Sequence, residues 1–193
     1  MLLVRHGATY AVHANAFADG EPLEPRARDR VTGLAASLPR RHRAACGPEP
    51  ACRETAEQLE IEPAVVDQLA GCDVGGWCGR TLDDVAASDP EGLMAWMSDA
   101  DAAPHGGESL ASFADRVAGW MEQAADTDGF LIAVVDAGVV KTAACRAIGA
   151  PLSGFWRIDV APLNVTELHA RDGRWTLCRL NAPLARSDGL RYR

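Results

Sequence analysis

The sequence has no long hydrophobic run, no low-complexity tract and no secretory pattern. No stretch approaches the roughly 20 apolar residues that a transmembrane helix requires. A signal peptide needs a basic segment followed by an apolar one, and the polar Arg5-His6-Gly7 comes too early for that arrangement. We therefore expect a globular, cytoplasmic protein with no membrane partner.

Cysteine motifs for metal binding are also missing. The six cysteines include no Cys-x-x-Cys pair, and the spacings of Cys72, Cys78 and His105 do not match those of zinc sites. A chain of 193 residues does not need disulfides in order to fold. We expect reduced thiols, no metal and no other cofactor.

Positive charge is scarce. The chain has 19 Lys and Arg residues and 27 Asp and Glu residues, which gives a net charge of −8. Such a field repels nucleic acid, and no basic cluster is interleaved with aromatic residues. The one basic run, residues 40–43, is interpreted as a solvated helix end and loop, with a phosphate contact as the alternative. We expect no nucleic-acid partner.

The hydrophobic pattern predicts an α/β fold in a single domain that spans residues 1–193. Residues 2–5 and 130–135 are continuous apolar runs, typical of strands that are covered on both faces in a parallel sheet. Apolar residues at spacings of three and four predict a helix over residues 108–125. Trp77 is predicted to be a packing residue, and the other tryptophans are predicted to be core or surface aromatics: Trp96, Trp120, Trp156 and Trp175. Further elements are predicted as helices over 81–87, 90–97 and 139–148, and as a hairpin that joins 164–169 to 174–180.

Two of the predicted strands end in residues that suit catalysis. His6 follows the first strand and Asp136 follows the second, and ligands bind at the carboxyl ends of such strands. A histidine there serves as a nucleophile or as a general acid/base. Arg5 beside it offers a planar fork of donors for phosphate or carboxylate. The sequence thus predicts one pocket that holds Arg5, His6 and Asp136.

Six short segments follow one another in a recognisable order along nearly the whole chain. They are Leu3–Thr9 with its Arg-His-Gly, Gly47–Glu57, Asp73–Gly79, Gly107–Ser109, Val134–Val140 and Asn164. Together they resemble the histidine phosphatase superfamily, also called the phosphoglycerate mutase-like family. The resemblance implies a three-layer α/β/α sandwich with a mostly parallel central sheet. It also implies a pocket of two histidines and two arginines around a phosphoryl group.

The resemblance assigns roles to the positions that are intact. One histidine of the family is transiently phosphorylated while a carboxylic acid protonates the leaving oxygen. By resemblance, His6 would be the nucleophile, Arg5 a phosphate ligand and Glu108 the proton donor. Thr9, in the first segment, and His105, in a segment that borders the pocket in this family, are further candidate substrate-binding residues.

Three other positions depart from the family pattern. Val12 stands where the family often has an asparagine, Ala51 where it has the second arginine, and Asp136 where it has the second histidine. Arg53 is the candidate substrate-binding replacement for the missing arginine. However, two helical steps of about 100° direct it to the opposite side of a helix.

These departures favour a different reaction. A carboxylate about 4 Å from a phosphoryl oxygen costs on the order of 4 kcal/mol. A lost arginine forfeits roughly 1.5–3 kcal/mol more, so phosphoryl transfer slows by several powers of ten. Asp136 would instead fix the tautomer of His6 and complete an acid/base set with His6 and Glu108. We therefore predict a divergent enzyme that performs acid/base chemistry on a small metabolite, with phosphomonoester hydrolysis reduced or lost.

Two other functions fit the same residues. The protein is an ordinary phosphomonoesterase if Arg53, Arg43 or His105 replaces the missing groups, and a non-catalytic binding module if the pocket only holds a ligand or a protein. Asp136 has alternatives as well, as a neutral acid with a raised pKa or as a cap for the following helix. A homodimer is compatible with each function.

Overall fold

A mixed six-stranded sheet forms the centre of the molecule. The computed structural model describes residues 1–32, 34–35, 38, 42–125 and 129–184. The strands are β1 (Leu2–Arg5), β2 (Arg43–Cys46), β3 (Ala64–Val65), β4 (Leu131–Val135), β5 (Asn164–Arg171) and β6 (Arg174–Pro183). The α-helices are α1 (Tyr10–Ala14), α2 (Pro25–Thr32), α3 (Pro50–Gln58), α4 (Leu82–Ser88), α5 (Pro90–Ser98), α6 (Leu110–Ala125) and α7 (Ala137–Ile148).

The strand order is β3-β2-β4-β1-β5-β6. The first four of these strands are mutually parallel, and the β5–β6 hairpin adds antiparallel pairing at one side. In the central pair, Arg5 of β1 lies opposite Val135 of β4, so both strands end at the same edge of the sheet. The predicted α/β class with a mostly parallel sheet is confirmed.

Alternate residues of the central strands enter two separate cores. Leu3 and Ala133 pack with residues of α6 and α7 on one face of the sheet. Leu2 and Ile132 pack with residues of α3 on the other face. Because successive side chains of a strand point to opposite faces, both faces carry helices and the fold has three layers, as the resemblance implied.

Most predicted elements occur with boundaries shifted by one or two residues. The apolar stripe of α6 is buried, and the Ser109 hydroxyl accepts a hydrogen bond from the Ser112 N–H at its start. Thr81 and Asp84 form the predicted capping box of α4. The hairpin turns at Asp172-Gly173, whose positive φ angles of 51° and 71° match the two-residue turn expected there.

The interpretation of residues 40–43 as a helix end and loop was wrong at Arg43, which begins strand β2. Arg40 and Arg41 lie outside the described residues. Helix α2, in which charged residues outnumber apolar ones, was not predicted either. Within the described part of the chain, no helix is long and apolar enough to cross a membrane.

Candidate functional site

A cavity of about 630 Å³ opens at the carboxyl ends of β1 and β4. Four of the predicted site residues line it: Arg5, His6, Thr9 and Asp136. Val12 and Ala51, which stand at family positions for polar phosphate ligands, contribute apolar wall to the same cavity. The alignment of the sequence with the family pattern is therefore consistent with the position of the cavity.

The backbone holds the His6 side chain in one orientation. Its main-chain N–H donates to the carbonyl of Val135 on β4 at 3.0 Å, and its ring is buried. Nδ1 lies 2.7 Å from the carbonyl oxygen of Gly7. A carbonyl oxygen only accepts, so Nδ1 carries a proton and Nε2 is the nitrogen left for chemistry.

Asp136 makes two contacts with its two carboxylate oxygens. Oδ1 accepts a hydrogen bond of 2.6 Å from the N–H of Gly138 and thereby caps α7. Oδ2 lies 3.6 Å from His6 Nε2. The helix cap and the histidine partner, which the sequence presented as alternatives, thus coexist in one side chain.

The charge state of Asp136 follows from these contacts. Burial alone would raise its pKa, but the neighbouring His6 ring, the Gly138 N–H and the Arg5 guanidinium together lower the pKa to about 2. The alternative of a neutral acid with a raised pKa was therefore wrong. Both ring nitrogens of His6 thus lie near oxygen atoms, Nδ1 near the carbonyl of Gly7 and Nε2 near the carboxylate of Asp136.

Arg5 and Lys141 are the two permanent cations of the cavity wall. An Arg5 guanidinium N–H donates to the carbonyl of Val160. Burial lowers the pKa of both cationic groups, and the carboxylates of Asp136 and Asp159 counter that effect. Lys141 is the only lysine in the sequence, but sequence reasoning missed it. Helical spacing could have identified Lys141. It lies three and four residues after the cavity-lining Gly138 and Ala137, and so on the same face of the helix.

Thr9 is buried and forms a hydrogen bond with Glu21, a second acidic residue of the cavity wall. Its hydroxyl donates to Glu21 Oε1 at 3.0 Å, and the backbone N–H of Asp19 donates to Glu21 Oε2 at 2.8 Å. Burial opposes ionisation of Glu21, yet these hydrogen bonds lower its pKa on balance. Glu21 was not predicted as a site residue.

Glu108 is held away from the predicted acid/base set. Its two carboxylate oxygens accept from Arg116 Nε at 3.0 Å and Nη2 at 2.7 Å. It is not among the residues that line the cavity, whereas His6 and Asp136 are. His6 and Asp136 therefore share the cavity lining, whereas the carboxylate of Glu108 is engaged in a bidentate pair with Arg116.

The predicted replacements for the missing phosphate ligands also lie elsewhere. Arg53 is exposed on α3, and Ala51 of the same helix faces the cavity. His105 is buried with its ring 4.9 Å from Trp77 and 5.8 Å from Trp96, and burial lowers its pKa. Arg43 lies at the amino end of β2, opposite the cavity edge of the sheet. Neither Arg53 nor His105 is among the lining residues.

The charged lining of the cavity is mainly acidic. Carboxylates of Glu21, Glu49, Asp136 and Asp159 line it, against the two cations Arg5 and Lys141.

The chain belongs to the histidine phosphatase superfamily (branch 1), whose family model matches residues 1–183. The family expectation drawn from the six ordered segments is therefore confirmed. Phosphoserine phosphatase 1 of Hydrogenobacter thermophilus is 28% identical over 172 residues, which cover 82% of this chain and 80% of that protein.

Two further comparisons agree with the family. Glucosyl-3-phosphoglycerate phosphatase of Mycolicibacterium vanbaalenii is 30% identical over 104 residues, or 49% of this chain and 46% of that protein. The crystal structure of the alpha-ribazole phosphatase from Shigella flexneri superposes with a TM-score of 0.82 at 23% identity, covering 94% of this chain and 95% of that one. The structural match shows the fold, and the named relatives are phosphatases.

Proposed function

We propose that this protein is an acid/base enzyme for a small metabolite and that the His6–Asp136 pair handles the proton. The observation that carries the proposal is the carboxylate of Asp136, which lies 3.6 Å from His6 Nε2. In the reaction that the resemblance implies, that nitrogen would carry the phosphoryl group. A fixed anion at that place repels the oxygens of an approaching phosphoryl group and disfavours attack on phosphorus.

The two residues have different parts in this chemistry. A carboxyl group with a pKa of about 2 stays ionised near neutral pH, so Asp136 orients and stabilises the protonated ring. His6 takes a proton from a carbon atom of the substrate at Nε2 and later gives a proton back, and the anionic Asp136 stabilises the ring while it is protonated. Arg5 and Lys141 line the same cavity and stabilise negative charge that develops on the substrate.

Solvent isotope exchange tests this proposal across many candidate substrates at once. The protein is incubated in D₂O with mixtures of small metabolites, and loss of ¹H NMR signals reports proton exchange. We expect exchange into at least one compound with wild type and its loss in His6→Gln and Asp136→Asn. Exchange that persists in both variants would show that the pair is not the acid/base.

A second assay tests the phosphatase activity directly. We expect wild type to hydrolyse p-nitrophenyl phosphate far below the ordinary enzyme range of about 1–10³ s⁻¹. The double variant Ala51→Arg, Asp136→His restores the family pattern and should gain activity. Turnover by wild type at ordinary rates, abolished in His6→Ala, would overturn the proposed function.

A phosphomonoesterase is the second candidate function. It is favoured by Arg5 and Lys141, which together line the cavity beside His6, and by relatives whose names identify them as phosphatases. Lys141 would then supply the charge that Ala51 cannot. Under this candidate Lys141→Met abolishes wild-type hydrolysis of phosphorylated metabolites, whereas under the first candidate wild type has little such activity to lose.

A further inference from the structure

Four aromatic residues form one side of the cavity. This aromatic wall consists of Phe17, Trp96, Phe155 and Trp156, all of which line the cavity. Neighbouring rings meet at steep angles: Phe17 and Trp96 at 66° with centroids 5.7 Å apart, and Trp96 and Trp156 at 71° with centroids 4.7 Å apart. These rings pack edge to face and do not form a flat stack.

The chain already places one of its own ammonium groups on this wall. Lys141 Nζ lies 5.1 Å from the centroid of the Phe155 ring. Phe155 in turn meets Trp156 edge to face at 5.0 Å. Ring faces attract cations through their quadrupole at distances up to about 6 Å. The ring of Phe155 therefore already holds one ammonium group, that of Lys141, which leaves Phe17 and Trp156 as the more exposed rings of the wall.

Carboxylates flank the aromatic wall. Asp159, in the segment that follows Phe155 and Trp156, is exposed and lines the cavity, and Glu21 lines it as well. Aromatic faces combined with acidic side chains favour organic cations over anions, because the quadrupole and the carboxylates act in the same direction. Among the described residues, four carboxylates line the cavity, together with the cations Arg5 and Lys141 and the ring of His6.

We propose that the substrate class of this site is an organic cation, an ammonium group attached to an apolar body. The ammonium lies against the aromatic wall near Asp159, and the rest of the molecule extends toward His6. This inference rests on the proposed function in one respect, namely that the same cavity holds the reacting substrate. The cation preference itself depends on the aromatic wall and the carboxylates and not on the reaction.

Matched pairs of charged and uncharged probes test the preference. Binding is measured by isothermal titration calorimetry for choline against 3,3-dimethyl-1-butanol and for 2-phenylethylammonium against 2-phenylethanol. Each pair has nearly the same shape and differs in charge. We expect the charged member to bind about tenfold more tightly, as a partly desolvated cation on aromatic rings should. Equal binding within both pairs, or no binding by either cation, overturns the proposal.

Variants of the wall locate the binding site. Trp156→Leu and Asp159→Asn should each weaken binding of the cations several-fold and leave the weak binding of the alcohols nearly unchanged. The control is Trp175→Leu, since Trp175 is a partly buried tryptophan on β6 that does not line this cavity. Cation binding that falls in the control as much as in Trp156→Leu assigns the cation to another surface and overturns the proposal.

The outcome is separable from that of the proposed function. Cation binding that needs Trp156 but occurs without any proton exchange supports the cation site and counts against the acid/base reaction. Proton exchange on an uncharged compound, with no preference for cations, supports the reaction and overturns the cation site. His6→Gln separates them further, because it removes the residue that moves the proton and leaves the aromatic wall and the four carboxylates in place.

Discussion

A single residue, Asp136, connects the stability of the fold with the chemistry of the site. The sequence predicted either a helix cap or a partner for His6, and the structure contains both contacts. The sequence does not show which carboxylate oxygen meets which partner. Because one oxygen can cap the helix while the other lies near the histidine, the two roles are compatible. The direction of the Asp136 pKa shift could not be predicted from the sequence either, since it depends on His6 and Arg5, which follow and end the neighbouring strand.

The lowered pKa of Asp136 predicts a pH-dependent contribution to stability. A carboxyl whose pKa falls from 3.8 to about 2 on folding stabilises the protein by roughly 2 kcal/mol above pH 4. That contribution is lost as the pH falls through the folded value near 2. We expect Asp136→Asn to lower the free energy of unfolding by about 2 kcal/mol at pH 6 and by almost nothing at pH 2. Urea denaturation across this range measures the difference.

Asp136→Asn removes the charge of the carboxylate but keeps the helix cap, so its effect measures the charge alone. Asn is as good an N-cap as Asp, so Asp136→Asn keeps the Gly138 contact, whereas Asp136→Ala also loses the cap and about 1 kcal/mol more. A difference between wild type and Asp136→Asn that stays constant from pH 6 to pH 2 would contradict the proposed role of the carboxylate charge.

At the scale of elements, prediction succeeded where local signals were strong. The stripe of α6, the capping box of α4 and the Asp172-Gly173 turn are fixed by neighbours within a few residues. Helix α2 and strand β2 lacked such signals, because their sequences are rich in charged and small residues. They form through contacts with distant parts of the chain, such as the pairing of β2 with β4.

Arg116 of α6 forms hydrogen bonds with Glu108 and with the segment of residues 68–71. Besides its bidentate pair with Glu108, it donates to the carbonyls of Gln68 at 2.9 Å, Ala70 at 3.0 Å and Gly71 at 3.2 Å. Gly71 and the adjacent Cys72 line the cavity. The location of Glu108 was not predictable from its motif, because the position of Arg116 eight residues later decides which group holds its carboxylate.

Removal of Arg116 should destabilise the protein strongly. Arg116→Ala leaves the carboxylate of Glu108, only 18% exposed, without its partner and frees four carbonyls. We expect a loss of about 2–4 kcal/mol in the free energy of unfolding, measured by urea denaturation. The double variant Glu108→Gln, Arg116→Ala should be less destabilised than the two single losses added together.

The matched control is another Arg–Glu pair with a similar contact distance. Arg146 and Glu122 meet at 2.8 Å, but their side chains are 53% and 65% exposed. Arg146→Ala should therefore cost less than about 1 kcal/mol. Equal losses for the two arginines would show that burial of the Arg116 network does not set its contribution.

At the scale of the whole molecule, the order of six motifs was enough to predict the family and the three-layer fold. Weak signals that occur in the right order along 193 residues reinforce one another. The site was less predictable, because single positions decide its electrostatics. Lys141, Glu21 and the aromatic wall belong to no motif, and only the folded chain brings them beside His6.

The acidic balance of the molecule and of its cavity predicts weak binding of phosphate. The net charge is −8, and carboxylates outnumber permanent cations along the cavity wall. A phosphate site with a Kd of about 0.1 mM would stabilise the protein by about 2.7 kcal/mol at 10 mM phosphate and raise the Tm by roughly 5–10 °C. We expect a rise of less than about 1 °C for wild type and a rise of several degrees for Ala51→Arg, Asp136→His. Sodium chloride at equal ionic strength is the control, and a large phosphate-specific rise in wild type would favour the phosphomonoesterase instead.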